Sequence, residues 1–248
     1  MSMPLPAMRA LAASLLVACC ATVSADEGDP PEVTYPALPA RGATPEAFVP
    51  AGWAIEMRAA GDLDKDGRDD LVLVLRMHDP ANVIHNDGLG PDEFDTNPRM
   101  LAVLFADAGG YRLATEDHAL VPRPDNPVMD DYLGGDGAVS VQRGAFSVGL
   151  HAWASAGTWY TSGTTFTFRW QEGCFRLIGY DRVEAHRASG DTTTISANYP
   201  ARRATVEIGN LAEDGPSKTR TLRLPARPMP CLADIGNGFD FDPGVPTE

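Results

Sequence analysis

Lysine is nearly missing from this 248-residue chain: Lys65 and Lys218 are the only two. The other basic residues are arginines, and acids outnumber both, leaving a formal net charge of −14. A chain of that sign is a poor partner for nucleic acid or an anionic membrane surface. Cysteine is scarce as well, with four in all and no C-x-x-C pair, so nothing has the spacing of a thiolate metal site. The histidines at 78, 85, 118, 151 and 186 are scattered without an H-E-x-x-H. A G-x-S-x-G nucleophile elbow is absent, and so is a glycine-rich phosphate loop between a strand and a helix. His151 and Ser155 stand four apart, but a triad is recognised by geometry and not by spacing. The many acids single out no carboxylate pair for glycoside cleavage. The one long apolar run, residues 10–21, is too short to span a bilayer.

What the chain does have is acid in one place. Gly61-Asp62-Leu63-Asp64-Lys65-Asp66-Gly67-Arg68-Asp69-Asp70 packs five carboxylates into nine residues. Left alone they repel one another; a hard cation among the oxygens would reverse that. Calcium takes six to eight oxygen ligands, which an acidic loop supplies from alternate positions. Asp62, Asp64 and Asp66 fall at loop positions one, three and five. Gly67 takes the sharp turn at six, Arg68 offers a main-chain carbonyl at seven, and Asp70 stands at nine. Position twelve is Leu73, not the bidentate glutamate of an EF-hand. The run Leu71-Val72-Leu73-Val74-Leu75 that follows has no polar face, so it predicts a strand buried on both sides.

Asp-x-Asp-x-Asp-Gly-x-x-Asp leading into an apolar strand resembles the FG-GAP or VCBS-type calcium loops of secreted bacterial proteins and integrin-like propellers. The resemblance implies a structural Ca2+ clip held by Asp62, Asp64, Asp66, Arg68 and Asp70. Further along stand Pro50-Ala51-Gly52-Trp53, Asn86-Asp87-Gly88-Leu89-Gly90, Asn97-Pro98-Arg99, and the segments at residues 157–170 and 175–180. In this order, over roughly residues 50–208, the chain is similar to a group of small exported bacterial proteins, often lipoproteins. That likeness implies a β-rich exported protein without an assigned enzymatic activity. With one acidic loop, a full propeller bearing a loop in each blade is not expected.

The N-terminus reads as an export signal: Arg9, the apolar run, then Val23-Ser24-Ala25 before a cut ahead of Asp26. Leu16-Val17-Ala18-Cys19 also resembles a lipobox, which would make Cys19 a lipidated first residue. Both cuts stay open, and both predict a periplasmic, secreted or membrane-anchored protein. Outside the signal only Cys174 and Cys231 remain, an even pair that an oxidising compartment would join. Residues 26–44 are acidic and proline-rich, a tether or an arm laid on the domain.

The rest predicts one mainly β domain over residues 45–248 with little helix, as an antiparallel meander, a sandwich-like fold or a partial propeller-like sheet. A helical turn is expected at residues 45–48 and a first strand at 54–58. Residues 78–98 form a long acidic connection, most simply a solvated loop. A hairpin follows over residues 100–115 with Gly109-Gly110 at its turn. Alternation then marks strands around Val139 and Val141, Phe146 to Leu150, and Phe166-Phe168-Trp170. More strands are expected at residues 174–183, 192–198, 202–208 and 219–224, with an irregular tail from 232. Trp153, Trp159, Tyr160 and Trp170 cluster in sequence. Core packing is expected for Trp170, while Trp159 and Tyr160, as neighbours on opposite faces, should leave one exposed as a platform for a glycan or an apolar partner. These observations support a calcium-stabilised exported domain with a non-enzymatic binding or cell-envelope role and an unknown envelope or extracellular partner. The alternative is a hydrolase of an envelope glycan or peptide, with the acidic connection and the tryptophans forming its cleft.

Overall fold

The structure, a computed structural model, describes residues 30–135, 137–212 and 215–246. The expected export signal and both of its cuts, after Ala25 or at Cys19, lie outside the described residues.

The described chain is mainly β, antiparallel throughout its sheets, and not closed into a barrel. The first sheet has five strands: β1 (Arg41–Gly42), β2 (Trp53–Gly61), β3 (Asp70–Met77), β6 (Arg99–Asp107) and β7 (Gly110–Asp117), in the order β1-β7-β6-β3-β2. A small hairpin of β4 (Val83–His85) and β5 (Glu93–Asp95) stands in the connection between β3 and β6. The second sheet is a seven-stranded meander of β8 (Val139–Gln142), β9 (Ala145–Ala152), β10 (Tyr160–Gln171), β11 (Cys174–His186), β12 (Asp191–Asn198), β13 (Arg203–Asn210) and β14 (Lys218–Arg223), each paired with its neighbours in sequence. Among the described residues, helix is limited to short 3-10 turns at Pro45–Phe48, Pro80–Asn82 and Leu232–Asp234.

The two sheets share one core. Val72 and Val74 of β3 and Val103 and Phe105 of β6 pack with Phe146, Val148, Phe166 and Phe168 of the meander. Phe105 meets Trp170 edge-on at 5.1 Å and Phe175 at 5.8 Å, so rings from both sheets interlock. Alternation along β3 sends Leu71, Leu73 and Leu75 to the opposite face. There they form a second buried cluster with Leu38, Phe48, Trp53 and Leu104. This is why the strand reads as continuously apolar: it is covered on both faces. Each fully buried leucine of this kind contributes about 1.5–3 kcal/mol.

Part of the second cover is the proline-rich segment. Among the described residues it runs along the five-stranded sheet. Tyr35 stacks on His118 at 4.6 Å, Ala40 accepts a hydrogen bond from the N–H of Leu113, and Arg41 and Gly42 pair with β7. The C-terminal tail, irregular as expected, covers part of the meander's inner face, with Phe241 5.6 Å from Phe166 and 5.7 Å from Tyr180. Cys174 and Cys231 are joined, with Cα atoms 5.9 Å apart, and tie the start of that tail to β11.

The long connection is not simply solvated. Asn82 and Asn97 are buried within it. Asn97 Oδ1 accepts from Asp79 N and Asn82 Nδ2, and Arg123 Nη2 donates to Asn82 Oδ1 at 2.9 Å. These side chains supply the partners that irregular backbone lacks.

Candidate metal centre and uncovered aromatic face

The acidic loop closes the hairpin of β2 and β3, where Gly61 pairs with Asp70. Asp62 organises its turn. Its Oδ1 accepts from the N–H of Lys65 at 2.6 Å and of Asp66 at 3.2 Å, and its Oδ2 from Gly67 at 3.1 Å. Lys65 and Gly67 both take left-handed backbone, with φ of 69° and 86°. A Cβ on Gly67 would meet nothing within 4 Å, so glycine is favoured there by conformation and not by space.

Asp70 is fully buried. Its Oδ2 accepts from Leu63 N at 2.8 Å and Asp64 N at 3.2 Å, and its Oδ1 from Ala106 N at 2.8 Å. Burial pushes its carboxyl above the usual aspartate value by more than those donors pull it down, and the charge of Asp64 adds to the rise.

Ligand atoms of Asp62, Asp64 and Asp70 all lie within 4.8 Å of one another. The Arg112 guanidinium reaches Asp64 at 3.5 Å. Asp66 stands apart, its carboxylate paired with the guanidinium of Arg68. Asp69 is exposed. The three converging groups offer only oxygen, the donor that calcium and magnesium prefer. Asp70 Oδ1, with Ala106 N as its one donor, keeps a lone pair, while Oδ2 already accepts two N–H groups. Asp62, Asp64 and Asp70 therefore fit a hard divalent cation. Asp66 would have to leave Arg68 to join them, and water would fill the remaining positions.

A second feature lies on the meander. Strand parity puts Tyr160, Ser162 and Thr164 on the same face as Phe166, and Arg182 and Glu184 on the same face as Tyr180. That inner face is apolar where the tail and the other sheet cover it, and turns polar toward its open end. An open groove of about 450 Å³ there is lined by Tyr160, Glu184, His186, Ser189, Asp191 and Thr193. Trp159 is 62% exposed and Tyr160 54%. The expectation that one of the pair would be hidden fails because Trp159 precedes β10, so strand alternation does not govern it, while Tyr160 sits on the inner face past its cover. Both rings are held. The Arg187 guanidinium lies 4.9 Å from the Trp153 ring and 5.9 Å from Trp159, and donates to the carbonyls of Ala154 and Thr158. His186 meets Tyr160 edge-on at 4.8 Å. Trp170 packs against the core, as its strand face predicts.

This groove brings together a serine, a histidine and an aspartate, but in the wrong order for a nucleophile. Ser189 Oγ lies 3.0 Å from His186 Nδ1 and donates to Asp191 Oδ2 at 2.5 Å. Nδ1 also accepts the Ser189 N–H at 3.1 Å. The aspartate thus holds the serine and not the imidazole, whereas a triad needs the histidine between them. The three residues close the turn between β11 and β12. His151 and Ser155 do not pair as a nucleophile and base either: Ser155 Oγ donates to the carbonyl of Val128. Within the acidic connection Asp79 caps a 3-10 turn and Asp95 pairs with Arg76.

Sequence reasoning missed the groove because its residues come from three strands and one turn that only the strand pairing brings together. It also missed Arg99, whose side chain is buried between Glu56 and Asp131. An arginine beside the apolar run 100–105 was the available signal. Comparison with protein-family models, curated proteins and solved structures returned no match.

Proposed function

We propose that this chain is an exported, calcium-stabilised β domain that binds a hydroxyl-rich envelope ligand, a glycan strand, on the open end of the meander and does not turn it over. The observation that carries this reading is the pairing of two exposed, braced aromatic rings, Trp159 and Tyr160, with a polar groove beside them. Aromatic planes give contact area with few rotors to freeze, and Glu184, Asp191 and Thr193 supply hydrogen-bonding groups at the rim. Ca2+ is assigned to Asp62, Asp64 and Asp70, with Asp66 and the Arg68 carbonyl completing the set suggested by the FG-GAP and VCBS resemblance. Its role is structural, closing the turn into β3.

The test is calorimetric titration of the exported domain with soluble murein fragments and with a neutral polysaccharide. Binding to either that weakens at least 10-fold in Trp159→Ala and Tyr160→Ala supports the reading. Absence of binding, or affinity indifferent to both substitutions, overturns it. Release of new reducing ends during the titration would favour the hydrolase instead.

A further inference from the structure

At the other end of the meander lies a cleft of a different kind. It has two adjoining lobes of about 220 and 450 Å³, which share Tyr199, Arg202, Arg227, Pro228 and Met229 as walls. Leu224, Pro225 and Phe241 line the inner lobe, so its body is apolar. The wall at residues 225–230 is braced against β11. Leu177 N donates to Pro230 O at 2.9 Å, Arg176 Nη1 to Met229 O at 2.8 Å, and the disulfide follows at Cys231.

The charge of this cleft runs against that of the molecule. In a chain of net charge −14, three guanidiniums stand at its walls. Arg176 is neutralised by Glu172 at 2.7 Å. Arg202 and Arg227 pair with no carboxylate among the described residues; they donate only to the carbonyls of Leu224 and Pro243. Asp242 is the one other acid in the lining, and its Oδ1 is taken by the Gly244 N–H. Burial keeps the Tyr199 phenol protonated well above its usual range, so that wall adds no negative charge.

We propose that this cleft binds an amphiphilic anion: a carboxylate or phosphate head held between Arg202 and Arg227, with an apolar tail laid along Leu224, Met229 and Phe241. Guanidinium forks match both heads, and the tail fills the apolar lobe. This site is separate from the aromatic groove and does not depend on it.

Titration with decanoate and with decyl phosphate, below their micelle concentrations, tests the proposal and separates the two heads. Inorganic phosphate supplies the charge without the tail, and decyl maltoside the tail without the charge. At least one anionic decyl probe should bind about 10-fold or more tightly than either control. Arg202→Gln and Arg227→Gln should each cost that probe about 10-fold, the scale of one charge-assisted contact. Arg58→Gln, a remote exposed arginine, should cost nothing. Met229→Glu places a like charge in the cleft and should abolish binding; it serves if an arginine variant melts abnormally. Equal affinity for decyl maltoside and the anionic probes overturns the proposal, as does binding that survives Arg227→Gln and Met229→Glu, or no binding at all.

Discussion

The carboxylate of Asp70 accepts the main-chain N–H of Ala106 at 2.8 Å, across 36 residues of sequence. That bond ties the acidic loop to the end of β6, while the other oxygen of Asp70 holds Leu63 and Asp64 from inside the loop. One buried side chain thus serves three donors, two in the loop and one on β6.

Asp70→Ala leaves those N–H groups without partners. With chelator present it should cost about 3 kcal/mol, since each orphaned buried donor costs about 1–3. Asp69→Ala, at an exposed position, should stay within about 0.5 kcal/mol. Urea unfolding of both variants without metal checks this. Equal losses would mean that the Asp70 bonds carry no stability of their own.

The local pattern made much of this fold legible. Five apolar residues in a row at 71–75 demanded burial on two faces, and both faces are buried. Alternation located Phe166 and Phe168, both fully buried, and glycine marked the β6–β7 turn. The acidic loop was legible by spacing, and Asp62, Asp64 and Asp70 do converge, yet Asp66 turns to Arg68, an ion pair that spacing does not encode. Trp159 and Tyr160 were visible as a cluster, but their exposure depends on where the tail and the other sheet stop covering the meander. Arg99 stayed hidden because its partners stand 43 and 32 residues away.

Calcium should raise the melting temperature of the domain, magnesium should do so poorly, and chelator should reverse the effect. Without an acid at Leu73 the affinity should fall near the weak extracellular range, about 10⁻⁴ to 10⁻³ M. At 10 mM calcium the gain is then about 1.4–2.7 kcal/mol from mass action on the native state. Asp64→Ala should erase this dependence. Coincident melts in calcium, magnesium and chelator would leave the loop as a metal-free acidic turn.

Reducing the Cys174–Cys231 bond should destabilise the domain by up to about 4 kcal/mol, the chain-entropy figure for a loop of 57 residues. Because the bond anchors the wall at residues 225–230, limited proteolysis of the reduced protein should begin there. Proteolysis that starts elsewhere, with an unchanged unfolding midpoint, would show that the tail is held by Phe239 and Phe241 without the bond.

Arg99 is buried between two carboxylates, which makes the fold sensitive to acid by linkage. Its side chain is 1% exposed, with Nε 2.5 Å and Nη2 2.7 Å from Glu56 and Nη2 2.7 Å from Asp131. Burial alone would raise both carboxyls, but Arg99, with help from Arg76 and, at Asp131, from the Leu133 N–H, outweighs it and holds them below their usual ranges. A carboxylate depressed in the folded state stabilises fully above its unfolded pKa, and that contribution is lost as pH falls through the folded value. The loss should therefore begin below about pH 4.5, the ordinary glutamate value. Arg99→Met takes the main partner from Glu56 and Asp131 and should cost about 1.5–3 kcal/mol at pH 7, since Glu56 keeps Arg76 and Asp131 is half-exposed. In the variant the two carboxyls return toward ordinary values, so acid takes less from it than from the wild type. The stability gap should narrow as pH falls from 7 to 3, measured by urea unfolding at each pH. A gap that stays constant over that range would mean that Arg99 acts through packing alone.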